Sequence, residues 1–115
     1  MNESSLTSQL LKRFRDANPR HVAWKISDRV ARSRPDAVFV SPKRGTVYCE
    51  FKIQGNPVTP GQREELRRLV AAGATVWVGV FRTDCPRVDF FLVTEKGTLD
   101  IWASRERAKA HEFFC

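Results

Sequence analysis

The run of residues 46–81 constrains this chain more than any other part of it. Thr75 to Phe81 reads Thr-Val-Trp-Val-Gly-Val-Phe, an apolar stretch with no polar alternation. Such a stretch suits a strand buried on both faces. The strongest helix signal in the chain stands just before it. Thr59 sits at the cap, Pro60 in the first turn and Gln62 three residues after the cap. Leu66, Leu69 and Val70 form its apolar stripe, and Gly73 ends it. Residues 46–53 precede that helix as a further strand. Strand, helix and doubly buried strand in this order predict a right-handed parallel crossover. A mixed α/β sheet with helices packed on it follows.

The remaining elements are read around that unit. Residues 4–17 carry Leu6, Leu10, Leu11 and Phe14 at helical spacing, with Ser4 or Ser5 as cap and Asn18-Pro19 as stop. Residues 21–26 alternate as a short strand with Val22, Trp24 and Ile26 on one face. Residues 27–34 form an arginine-rich connection. Residues 36–40 and 46–53 flank a turn holding Pro42 and Gly45, which predicts an antiparallel hairpin. A second hairpin is expected from residues 88–93 and 98–102 around Lys96-Gly97. Ser104 is expected to cap a short final helix ending near Phe114. The order α-β-β-β-α-β-β-β-α fits one domain across residues 1–115. Trp24, Trp77 and Trp102 are expected in its core.

Composition narrows the setting. At 42% hydrophobic and 29% charged, with no run of 18 apolar residues, nothing is expected to span a membrane. The first residues show no basic region followed by an apolar one, so no secretory signal is expected. Cys49, Cys85 and Cys115 have no metal-ligand spacing, which suggests free thiols in a reduced, cytoplasmic setting. Twenty Lys and Arg against thirteen Asp and Glu give a net charge of +7, and fourteen of the twenty are Arg. A basic surface rich in guanidinium forks attracts phosphate polyanions. Nucleic acid is the expected partner.

Asp36, Glu50 and Lys52 set the chemistry. Glu50 and Lys52 are two apart on one strand, so both leave the same face. If the hairpin turns at 41–45, Asp36 falls opposite Glu50 to within about one residue. Two carboxylates and an ammonium then converge. Phosphodiester hydrolysis needs charge neutralisation and an activated water, and Mg²⁺ or Mn²⁺ held by hard oxygens supplies both. The backbone carbonyl of Phe51 is a candidate third oxygen. Lys52 would orient the attacking water or offset charge in the transition state. The plain alternative is a solvated cross-strand pair on an ordinary hairpin.

The stretches Arg34-Pro35-Asp36-Ala37-Val38-Phe39, Cys49-Glu50-Phe51-Lys52 and Val58-Thr59-Pro60-Gly61-Gln62, followed by Leu66, Leu69 and Ala72-Gly73, resemble the PD-(D/E)xK nuclease superfamily. More narrowly they resemble its VRR-Nuc branch, in the minimal, stand-alone form found among phages and bacteria. The resemblance covers about residues 3–82. It implies a restriction-endonuclease-like sheet flanked by helices and a Mg²⁺- or Mn²⁺-dependent nuclease. It also implies a site role for Gln62, whose other reason to exist is a capping box. On the first helix it implies Glu3 as a further metal ligand or water-orienting group. Family members of this size resemble dimeric enzymes that cut branched DNA, including Holliday junctions.

Arg29, Arg32 and Arg34 precede Asp36 and are expected to grip phosphates beside the site. Lys43 and Arg44, at a hairpin tip, are expected to reach the next phosphate. A homodimer would draw on Phe90 or Phe91, or on Phe113 and Phe114, unless these close the core. His21 and His111 have no spacing for catalysis or zinc. The alternatives to an endonuclease on flaps and junctions are a site-specific restriction-type nuclease and a non-catalytic DNA-binding or adaptor module on the same fold.

Overall fold

The computed structural model describes residues 2–26, 34–97 and 99–115, with the side chains of Ile101 and Trp102 excepted. Its elements, in chain order, are α1 (Glu3–Ala17), β1 (Val22–Lys25), β2 (Ala37–Ser41), β3 (Gly45–Ile53), α2 (Pro60–Ala71), β4 (Thr75–Phe81), β5 (Arg87–Val93), β6 (Leu99–Glu106) and a final 3₁₀ helix, η1 (Arg107–Phe114). The six strands form one sheet in sequential order from β1 to β6. Only β3 and β4 run parallel, and α2 is the crossover between them. The remaining neighbours are antiparallel. This is the mixed α/β sheet expected from residues 46–81, with helices on it.

The period-two alternation of the strands sends side chains to two different cores. Val47, Cys49 and Phe51 of β3, with Phe39, Trp77, Phe81 and Phe90, pack beneath α1 and η1. Phe39 stacks on Phe114 at 3.9 Å between centroids and meets Phe14 edge-on at 5.0 Å. The opposite face is smaller. There Leu66 of α2 closes on Val76, Val78 and Val93. The α2 cap is as expected: Thr59 Oγ1 accepts from Gln62 N at 3.2 Å, and Gln62 Oε1 accepts from Thr59 N at 3.0 Å.

Several expectations are corrected. The α1 cap is Asn2, whose side chain accepts from Ser5 N at 2.7 Å, so the helix starts one residue early and Glu3 lies in its first turn. Val22 and Trp24 do share a face of β1, but it is the open one: they are 37% and 61% exposed. Ala23 and Lys25 face α1 instead. Ala23 is buried and small enough to let the helix close, while Lys25 Nζ donates to Ser4 Oγ at 2.6 Å. Trp77 is in the core as expected, whereas Trp24 is not. Ser104 caps nothing. It lies in β6, donating to Asp89 Oδ1 at 2.6 Å and accepting from Arg87 Nε at 2.9 Å. That cross-strand chain carries β6 on to Glu106, and the final helix is 3₁₀. Phe113 and Phe114 are buried and close the core, and Phe90 is fully buried.

Gly79 is the one glycine whose absent side chain shapes the core. A Cβ there would stand 2.9 Å from the Phe51 ring and 3.2 Å from Phe90. Gly79→Ala is therefore expected to destabilise the fold by about 1–3 kcal/mol, because the rings have no room to retreat. Urea unfolding of the two proteins measures this, and equal midpoints would refute it.

Candidate active site

The site begins where β2 stops. Its ladder with β3 ends at Ala37 opposite Cys49. The next hydrogen-bonded pair would join position 35 to Phe51. Position 35 is proline, which has no N–H, so it gives the Phe51 carbonyl no ladder donor. Phe51 N donates instead to Asp36 Oδ2 at 2.8 Å. Two residues further along β3, Ile53 N donates to Glu3 Oε2 at 3.2 Å, and Asn56 Nδ2 donates to the same oxygen at 2.7 Å. Two carboxylates thus complete the edge that β2 leaves unpaired. In a strand the C=O leaves on the same edge as the N–H of its residue, so the Phe51 carbonyl is directed toward Asp36.

Glu50 and Lys52 leave the α2 face of β3 beside this edge. Glu50 is 1% exposed and Lys52 is 7% exposed. Lys52 Nζ stands 3.9 Å from Glu50 Oε2, within ion-pair reach but beyond hydrogen-bond length. Glu50 Oε1 is buried without a hydrogen-bond partner. Burial pushes the Glu50 carboxyl up to about 9. The charge and hydrogen bonding of Asp36 push the same way, Lys52 opposes them, and Glu3 adds a smaller repulsion. At neutral pH Glu50 therefore keeps its proton beside Asp36.

Asp36, Glu50 and Lys52 thus come together as their spacing predicts, and Glu3, expected only from the resemblance, reaches the same edge through Ile53 and Asn56. Gln62 does not join them through its amide oxygen, which is spent on the capping box. Lys43 and Arg44 are exposed at the far tip of the hairpin. Six residues of strand put Arg44 about 20 Å from Glu50, too far for a phosphate held next to the acid pair. The Arg44 guanidinium lies 4.7 Å from the centre of the Phe113 ring. Arg34 is exposed and adjoins Pro35. Arg29 and Arg32 lie outside the described residues.

Asn56 was missed in the sequence. It reaches the site from the loop after β3 and anchors Glu3. Gly55-Asn56-Pro57 reads only as a turn, and nothing local says which group the amide meets. An open pocket of about 460 Å³ adjoins Lys52, between Asn56, Val58, Val80 and Phe91. Phe91 is half-buried and lines that pocket.

Among the described residues, no group of three or more His, Cys, Asp or Glu is arranged to hold a metal ion, and no helix is long and apolar enough to cross a membrane. No protein-family model matches the chain, and no curated protein matches it.

The raised Glu50 carboxyl makes stability pH-dependent. Its folded pKa exceeds that of the unfolded chain, so the stabilisation it contributes is full in acid and is lost as pH rises toward about 9. Glu50→Gln keeps the shape and cannot ionise. The variant is expected to melt higher than the metal-free wild type at alkaline pH and to show a flatter dependence between about pH 5 and 9. Parallel melting curves across that range would sink the assignment.

Proposed function

We propose that this protein is a Mg²⁺- or Mn²⁺-dependent endonuclease acting on structured or branched DNA, built on a restriction-endonuclease-like sheet. One observation carries the reading. Glu50, buried beside Asp36 and Lys52, has its Oε1 left without a hydrogen-bond partner. A buried polar atom without a partner costs stability unless it serves something else. Two hard carboxylates and a backbone carbonyl suit Mg²⁺, which keeps several of its waters and accepts few protein ligands.

Asp36, Glu50 and the Phe51 carbonyl would hold the cation, with Glu3 at the margin through its anchor on Ile53 and Asn56. When bound, the cation would neutralise charge on the phosphoryl oxygens and acidify a water. The protein's own part is positional. Glu50 would give up its proton on loading, so affinity for the cation is expected to rise with pH. Lys52, held at the back of the site, would orient the nucleophile or meet the charge that grows on the phosphate. The net charge of +7 draws the polyanion in.

The test is cleavage of labelled duplex, flap, splayed-arm and four-way-junction DNA with Mg²⁺, Mn²⁺ or chelator. Wild type is expected to cut at least one of these only when metal is present. Glu50→Gln should abolish cutting, and Lys52→Ala should slow it by about 10²- to 10³-fold. Salt-sensitive binding without cutting in either metal would replace this reading with that of a binding module.

A further inference from the structure

The sheet face that carries the acid pair is covered unevenly. α2 packs over β4 and reaches β5, while on β1 Val22 and Trp24 stay exposed. Between α2 and this open side runs a groove of about 440 Å³, lined by Ile26, Arg34, Val38, Tyr48, Glu65 and Leu69. That is the size of a small-ligand site. Its floor is apolar and aromatic. Val38 is two residues from Asp36 on the same strand and the same face, about 7 Å along β2. Tyr48 is two residues from Glu50 in the same way. The groove therefore leads along the sheet into the acid pair.

Trp24 neighbours the groove through Val38 of its floor. It pairs directly with Val38 across the β1–β2 ladder and lies on the same face. At 61% exposure it is the most exposed large apolar residue described. An indole left in water on a surface of this charge is a stacking platform for a base, and every base offers a ring face. A paired base within a duplex has its ring faces covered by its neighbours, so only an unpaired nucleotide can use it.

We propose that the groove between α2 and β1–β2 holds an unpaired DNA strand as it approaches the Asp36–Glu50 pair, and that Trp24 stacks on one of its bases. The proposal rests on the nuclease reading and adds its substrate class, DNA with a single-stranded arm. Arg34 is the cation among the groove's described lining residues and would meet the backbone. Glu65, the one acid among the groove's described lining residues, lies 3.7 Å from Arg68 and is partly neutralised by it.

The experiment measures binding of a short labelled oligothymidylate and of a blunt duplex of equal length. It uses the cleavage-silent Glu50→Gln protein with and without Trp24→Ala or Trp24→Phe. Trp24 is exposed, so both variants should fold, and circular dichroism checks this. Trp24→Ala is expected to weaken oligothymidylate binding by about 5- to 100-fold, the range for loss of one base stack. Duplex binding should change less than about twofold. Trp24→Phe should restore most of the loss. Equal loss on both probes, or no loss on either, would overturn the proposal. So would a Trp24→Ala protein that changes from dimer to monomer with unaltered oligonucleotide affinity, since the face would then join two copies. Wild type that cuts branched DNA while Trp24→Ala binds single strands normally would end this inference and leave the nuclease reading standing. Wild type that cuts nothing while the Trp24 effect persists would do the reverse.

Discussion

β3 runs further than its neighbour β2, and the site depends on that difference. Ladder groups on an unpaired edge need partners once they leave water. Here the partners are carboxylates. Asp36 takes the N–H of Phe51, and Glu3 takes that of Ile53. A carboxylate accepting a backbone N–H is a strong hydrogen bond and also a fixed negative charge. Completing the edge of β3 thereby places two anions beside Glu50. The electrostatic tension of the site is a by-product of how the sheet is finished.

The same arrangement couples stability to chemistry. Glu50 is a large acid in a nearly dry position, next to Asp36 and only loosely approached by Lys52. Burying such a group unpaired is unfavourable, and the chain tolerates it by keeping a proton there. A divalent cation is a better counter-charge than a proton for two carboxylates at once. The rest of the fold meets the cost. Phe39, Phe51, Phe81, Phe90 and Phe114 are all fully buried, and their rings hold β3 and its neighbours against α1 and η1.

Uneven coverage of the sheet shapes everything outside the acid pair. The α1 face is sealed by a long helix and the final 3₁₀ turn, and its side chains are large and aromatic. The α2 face has one short helix and smaller residues, so grooves remain on either side of it. Glu50 and Lys52 lie on this second face, between the two openings. A strand with one sealed face and one half-covered face can hold chemistry rigidly and still admit a ligand.

The sequence by itself determined the elements whose signals are local. The capped helix α2, the doubly buried β4, the hairpin turn and the pairing of Asp36 with Glu50 all follow from spacing, capping and period two. These are set within a few residues, so few arrangements satisfy them. Only the tertiary structure decided which face each element turns inward. Trp24 and Ala23 alternate in β1, and hydrophobicity alone would bury the tryptophan. The close approach of α1 favoured the alanine. Ser104 carries a cap signal, but a cross-strand chain through Arg87 and Asp89 kept it in a strand. Asn56 and Glu3 are far apart in sequence, and their meeting depends on where β3 ends relative to α1. Contacts of that kind depend on which surfaces come together, and no local pattern of residues encodes them.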